Sequence, residues 1–219
     1  MSTTGTRRKS PVAQSGRTLG PRALETRQRI LAATARLLDE RGVLDLTVVE
    51  IARAAGSSPA TFYHYFKDVE EVALELAEAA AEEMPALFDL IDGSWKGQAG
   101  LARAREIVDG FIRHWEAHHA VLLLRNLESD RGNRRFHRIR RNALGPLLDA
   151  FAAEVKRGQA QGRVAKEIHP WVAAAAIGSL LELIAAHQAT LLSADASRDD
   201  LVETCARIIY QTVTGRSPR

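Results

Sequence analysis

The chain has 219 residues, of which 46% are hydrophobic and 26% charged, so it can bury a substantial core and is expected to form about two domains. No apolar run reaches the roughly 20 residues of a membrane span, and the first residues lack an apolar signal-peptide core. The single cysteine excludes an internal disulfide and a cysteine-based zinc finger. We therefore expect a soluble cytoplasmic protein with no membrane partner.

The first 22 residues are rich in Ser, Thr, Gly, Pro and Arg and lack helical periodicity, which predicts a mobile basic arm. Seven Lys and Arg against Glu25 alone give residues 1–29 a charge of +6, whereas the whole chain carries +3. Basic arms can neutralise DNA phosphates or enter a minor groove, but a charged tail is also a common form of plain disorder. Both interpretations of the arm remain open.

Two helices are predicted next in the chain. The first is expected to begin near Ala23 and to end at Arg41, where a cation followed by glycine is typical of a helix end. Thr47 can cap a short second helix, because Glu50 stands three residues later and completes a capping box.

A tight turn and a third short helix follow. Gly56 supplies the permissive backbone of the turn, Ser58 offers an N-cap oxygen, and Pro59 can occupy the first helical position. Phe62 and Phe66, four residues apart, are expected to share a buried face. The residues on or near the other side are the candidate DNA readers: Ala60, Thr61, Tyr63, His64 and Tyr65.

This short helix, glycine turn and Pro-Ala-Thr-Phe-Tyr-His-Tyr-Phe sequence resembles the helix-turn-helix of the TetR family of transcription regulators. The resemblance implies that the second motif helix enters the major groove, with Tyr63 near phosphates and Thr61 near bases. Val69 stands where the family usually has a lysine, and Lys67 is the candidate to replace its phosphate contact. The full set of predicted DNA-binding residues is Thr47, Ser58, Ala60, Thr61, Tyr63, His64, Tyr65 and Lys67.

The predicted fold is all-α, with a three-helix DNA-binding head over residues 23–68 and a larger helical ligand-binding and dimerisation domain over 69–219. A linker helix is expected from Val69 to about Asp92, with a kink or break at Pro85, and residues 93–100 are expected to form a loop. Later helices are predicted over 101–117, 120–127, 133–159, 170–192 and 199–214.

The helix predicted from Pro170 is apolar almost all round, so more than one of its faces must be buried. One chain cannot easily cover both faces. This pattern predicts a homodimer through the last two helices, as the family resemblance also implies.

Two polar clusters allow more than one interpretation. His114 and His118 are four residues apart and His119 follows, but no His-Glu-x-x-His order supports a metal, so a polar or pH-sensitive face is favoured. A basic stripe could be a solvated or salt-bridged face, which is favoured, or a clamp for an anionic ligand. The stripe comprises Arg131, Arg134, Arg135, Arg138 and Arg141.

A small-molecule cavity is expected among the central helices of the larger domain. The candidate wall residues are aromatic, and three polar residues could orient a ligand. The predicted ligand-binding set is Phe88, Phe111, Trp115, Asn126, Phe136, Phe151, Trp171, Glu182 and His187.

These features predict a homodimeric regulator that binds double-stranded operator DNA, acts as a repressor, and is released by a small, largely apolar effector without any cofactor or metal. A ligand-binding dimer without operator recognition is one alternative, prompted by Val69. An enzyme is another, although no nucleophile elbow, phosphate loop or metalloprotease helix occurs in the sequence.

Overall fold

The computed structural model describes residues 19–42, 46–84, 87, 89–91, 93–192 and 195–216. Over these ranges the chain forms helices and no strands. Most of the predicted arm, together with Pro85, Phe88 and Asp92, lies outside the described residues. The helices are α1 Pro21–Arg41, α2 Val48–Ala54, α3 Pro59–Tyr65, α4 Val69–Glu82, α5 Gly97–Asp130, α6 Arg134–Ala160, α7 Pro170–Leu191 and α8 Arg198–Thr214.

The chain divides into two compact units, Met1–Ala77 and Glu78–Arg219, and α4 is the helix that continues across the boundary. The first unit packs α1, α2 and α3 around its own core. In this core Ile30, Ile51 and Phe62 are each fully buried, as the helical spacing of the apolar residues predicts.

Arg27 also serves the first unit. Its guanidinium pairs with both carboxylate oxygens of Glu75 on α4 and lies over the Phe66 ring, 4.8 Å from the ring centroid. Arg27 is one of the seven basic residues within positions 1–29, but its pairing with Glu75 gives it a structural role inside the first unit.

Two helix boundaries differ from the predicted ones. The linker helix α4 ends at Glu82 rather than near Asp92, three residues before Pro85, where the sequence predicts a kink or break. α5 begins at Gly97, within the predicted loop. Gly100 permits this start, since a Cβ at that position would lie 2.5 Å from the backbone carbonyl carbon of Trp95.

α5 consists of two helical segments that meet at a kink, in agreement with the two helices predicted over 101–117 and 120–127. The kink falls at His118, whose φ and ψ are −130° and 24° and therefore not helical. α7 has a similar non-helical residue near its end, at His187.

The second unit has a core of side chains from α5 to α8, in which Phe111, Trp115, Leu147, Phe151 and Tyr210 are no more than 1% exposed. Arg125 and Glu182 are buried within this unit as an ion pair, with Nη2 and Oε1 3.0 Å apart.

α7 keeps an apolar surface that the described chain does not cover. Among the described helices it is the one long and apolar enough to cross a membrane. This is weak evidence for a membrane, because the core helix of a soluble protein can have the same length and composition. One exposed stripe follows the helical period and comprises Val172, Ala176, Ser179, Leu183 and His187.

Candidate functional site

The start of α3 is fixed by local hydrogen bonds. The Ser58 hydroxyl accepts a hydrogen bond from the Thr61 backbone N–H at 3.1 Å, and its oxygen lies 3.0 Å from Thr61 Oγ1. Pro59 occupies the first turn, where its missing N–H leaves no donor unsatisfied. The turn before it depends on Gly56, whose φ of 63° lies in the left-handed region that favours glycine.

The outward face of α3 carries most of the predicted DNA readers. The Tyr63 side chain is 55% exposed, Ala60 and His64 are exposed, and Thr61 is half-buried. Lys67 is exposed directly after α3, whereas Val69 is partly buried and packs against the head core. The motif helix therefore presents small, polar and aromatic side chains to solvent along one short surface.

The predicted placement of Tyr65 on this outward face is wrong. Tyr65 is only 9% exposed and belongs to the head core. Its position three residues after Phe62 puts it on the same side of the helix, so the core accepts a third aromatic ring that the sequence pattern assigned to solvent.

Thr47 caps α2 as the sequence predicts. The Thr47 hydroxyl accepts a hydrogen bond from the Glu50 backbone N–H at 3.3 Å, and the Glu50 carboxylate accepts one from the Thr47 backbone N–H at 3.0 Å. Arg41 also donates to Glu50 at 2.5 Å. The hydrogen bonds from Thr47, followed by that from Arg41, lower the pKa of Glu50 from its ordinary 4.5 to about 2.

An open cleft of about 390 Å³ lies between α6 and α7 in the second unit. Leu144, Leu148 and Trp171 form its apolar part, and His137, Arg140 and Arg141 supply cationic or polar groups. Two of the predicted ligand-binding residues, Trp171 and Glu182, line this cleft.

Most of the other predicted pocket residues lie elsewhere. The side chains of Phe111, Trp115, Phe136 and Phe151 are at most 1% exposed and fill the interior of the second unit, where large apolar rings pack against one another. His187 is exposed at the kink of α7. The sequence signal of an aromatic residue does not separate a cleft wall from a packed core.

Glu182 is held by a buried network at the base of the cleft. Its Oε1 accepts hydrogen bonds from Arg125 Nη2 at 3.0 Å and from Asn126 Nδ2 at 3.2 Å, and its Oε2 accepts one from Arg140. Arg140 also pairs with Asp130 at 3.1 Å. Burial lowers the pKa of Arg125 to about 10, although the Glu182 charge opposes that shift.

The basic stripe divides between two environments. Arg131 pairs with Glu128 at 2.9 Å, Arg134 and Arg138 are exposed, and Arg141 lines the cleft. Arg140, which the sequence analysis did not single out, lies at the cleft and contacts Glu182. The sequence pattern indicates only the exposed face of α6, whereas Arg140 lies between that face and the core.

A three-helix head with an exposed short motif helix, followed by a larger helical unit, is the arrangement typical of helix-turn-helix transcription regulators. A family model described as bacterial regulatory proteins of the tetR family matches residues 30–76. A second, described as tetracyclin repressor-like C-terminal domain, matches residues 87–219. The chain belongs to the TetR family of DNA-binding transcriptional regulators, which confirms the predicted family and fold class.

Two curated relatives agree with this assignment. The regulator EthR of Mycobacterium tuberculosis is 29% identical over 161 residues, covering 59% of this chain and 74% of EthR. The regulator BetI of Escherichia coli is 28% identical over 190 residues, covering 78% of this chain and 93% of BetI.

Solved structures show the same fold. MbdR from Azoarcus superposes with a TM-score of 0.64 at 17% identity, covering 84% of this chain and 97% of MbdR. FadR from Bacillus subtilis, solved with stearoyl-CoA, gives a TM-score of 0.58 at 18% identity, covering 87% of this chain and 99% of FadR.

Proposed function

We propose that the protein is a homodimeric repressor that leaves its operator when an amphipathic, anionic ligand occupies the cleft between α6 and α7. We assign DNA binding to the head over residues 23–68, and ligand binding and dimerisation to residues 69–219. The observation that carries the proposal is the exposed outward face of α3, which no other described element of the first unit covers.

Residues on this face have different roles in the proposal. Thr61, held by Ser58 at the start of α3, offers a hydroxyl and a methyl group to a base edge, which suits sequence reading. Tyr63, His64 and Lys67 are exposed and bind phosphates, which positions the helix without reading sequence. Thr47, at the exposed start of α2, adds another contact to the DNA phosphates. Ala60 on α3 leaves room for the helix to approach a base closely.

The test separates reading from anchoring. Thr61→Ala is expected to lower discrimination between operator and random DNA by about 1 kcal/mol, the lower end of the range for a base contact. Tyr63→Phe removes only a phosphate-binding hydroxyl and is expected to weaken binding to both DNAs alike. Fluorescence anisotropy with operator and random duplexes at fixed salt measures both effects.

Ser94→Ala is the matched control, because it also removes a hydroxyl and Ser94 is exposed in the second unit, outside α7 and α8. Operator binding by this variant should equal that of the parent. If neither the parent nor any variant prefers an operator from its own upstream region over random DNA, the alternative of a ligand-binding dimer without operator recognition is favoured.

The chemistry of the cleft supports an amphipathic anionic ligand. Leu144, Leu148 and Trp171 can cover an apolar body, while Arg141 can bind an acidic group by charge-assisted hydrogen bonds. Stearoyl-CoA, present in the FadR structure, combines an acyl chain with anionic groups and is therefore a suitable first probe.

The exposed stripe on α7, which includes large apolar side chains, supports the proposed dimer. Val172 and Leu183 are 61% and 60% exposed, and Ile208 on α8 is 44% exposed. A second copy that presents the same two helices would cover these side chains in a four-helix interface, which is a common solution for a two-fold dimer.

A further inference from the structure

Three side chains of the second unit meet where α5 changes direction, and we call them the Glu83 cluster: Glu83, His114 and His118. His118 Nε2 lies 2.8 Å from Glu83 Oε2, and the ring centroids of His114 and His118 are 5.1 Å apart. One possible ligand atom from each of the three residues lies within 4.8 Å of the other two. The histidines share a face because they are four residues apart on α5.

His114 carries the observation that points to a ligand. Its Nε2 atom is buried and has no hydrogen-bond partner among the described residues. Buried polar side-chain atoms rarely lack a partner in folded proteins, so His114 requires a partner such as a water molecule or an ion.

The charged groups around the cluster favour the binding of a cation. The Glu83 carboxylate is the nearest acid, and its side chain is 60% exposed, so it can move to meet an ion. Arg125 is the opposing positive charge felt by His114, but its guanidinium is paired with Glu182 at 3.0 Å.

We propose that the Glu83 cluster binds a divalent transition-metal ion, with Zn²⁺ as the best match. Two imidazole nitrogens and one carboxylate oxygen form a known zinc donor set that leaves a fourth position open. Bonds of about 2.0 to 2.1 Å place tetrahedral ligand atoms about 3.3 Å apart, so small side-chain rotations would close the cluster around an ion. The sequence shows only the histidine pair, and the fold brings the carboxylate from beyond the end of α4.

Calorimetric titration of metal-free, full-length protein with ZnCl₂ tests the proposal. The parent is expected to bind one ion per chain. Glu83→Gln and His118→Ala each remove one ligand, and we expect each to weaken zinc affinity by more than the roughly 10- to 100-fold typical of an outer-shell change. His119→Ala is the matched control, because His119 lies outside the cluster and approaches the Ala186 carbonyl.

Glu83→Gln changes an exposed side chain and keeps its shape, so circular dichroism should show an unaltered helical fold in that variant. Visible absorption of the Co²⁺-substituted protein gives a second readout, since four-coordinate and six-coordinate sites differ in geometry and hence in spectrum. Absence of zinc binding by the parent overturns the proposal, and so does equal affinity in the parent, Glu83→Gln and His118→Ala. No DNA is needed, so the result is independent of the proposed repressor function.

Discussion

Glu50 links the end of α1 to the start of α2 through one carboxylate. It accepts hydrogen bonds from the backbone and side chain of Thr47 at the start of α2, and it pairs with Arg41 at the end of α1. These partners hold the pKa of Glu50 near 2, below its ordinary 4.5. The cap therefore depends on an ionised carboxylate.

We expect this cap to make stability depend on pH. Because the folded-state pKa is the lower one, the unfolded chain binds the proton more tightly, and the stabilisation is present above pH 4.5 and lost as the pH falls towards 2. Glu50→Gln removes the titrating group. Urea denaturation across this pH range should show that the stability difference between parent and variant shrinks on acidification.

Glu40→Gln is the control for this experiment, because Glu40 forms a surface pair with Arg36, at 3.7 Å, within α1. Its effect should be small at every pH. A stability difference for Glu50→Gln that stays constant from pH 4.5 to pH 2 would contradict the role of the carboxylate.

A second prediction at the residue scale concerns the buried Arg125–Glu182 pair. Glu182→Gln would leave the Arg125 guanidinium, 2% exposed, without its opposite charge. Breaking one partner of a buried pair typically costs about 3 to 5 kcal/mol in the free energy of unfolding. Glu128→Gln, which breaks the surface pair with Arg131, should cost about 0 to 1 kcal/mol. Equal costs for the two variants in chemical denaturation would be inconsistent with this account.

At the scale of elements, local signals were enough to place most helices. Thr47 and Ser58 cap α2 and α3 as the sequence predicts, because an N-cap needs only its own side chain and a nearby backbone N–H. Pro170 begins α7 for a similarly local reason.

What the sequence could not predict depends on how closely residues pack in the folded chain. The early start of α5 requires the close approach of Gly100 to Trp95, and the burial of Tyr65 requires the packed head core. For the same reason the cleft could not be separated from the core, since only the packed fold shows that Trp171 lines it while Trp115 is buried.

The stripe on α7 leads to a prediction about assembly. Leu183→Glu places a charge at the centre of the proposed apolar interface, where it would lose water without gaining a partner. We expect the dimer to dissociate at least tenfold more readily, which corresponds to about 1.4 kcal/mol. Sedimentation at several protein concentrations measures the change.

Ile168→Glu is the matched control, because Ile168 is 40% exposed but precedes α7 and lies outside the stripe. This variant should dimerise like the parent. If Leu183→Glu leaves the association constant unchanged, another surface forms the dimer.

At the scale of the whole molecule, the proposal requires that ligand and operator oppose each other. The dimer would present two motif helices to half-sites about 34 to 36 Å apart, and a ligand in the second unit would favour a state that does not match this spacing. α4 is the covalent route between the units, since it begins in one and ends in the other.

Thermodynamic linkage makes the coupling between ligand and operator reciprocal. A coupling of about 1 to 3 kcal/mol would lower operator affinity about 5- to 150-fold on ligand binding, and operator must lower ligand affinity by the same factor. Calorimetry with stearoyl-CoA, with and without operator, measures both directions. Arg141→Ala is expected to weaken ligand binding while operator affinity without ligand stays unchanged. Equal ligand affinity in free and operator-bound protein would contradict induction through the cleft.

The tryptophans of this chain occupy very different environments. Trp95 and Trp115 are 7% and 1% exposed, whereas Trp171, at the cleft, is 52% exposed. A soluble quencher should therefore reach the indole of Trp171 and leave the other two emitting. The protein thus carries an intrinsic fluorescent reporter at the proposed ligand site, and Trp171→Phe supplies its dark reference.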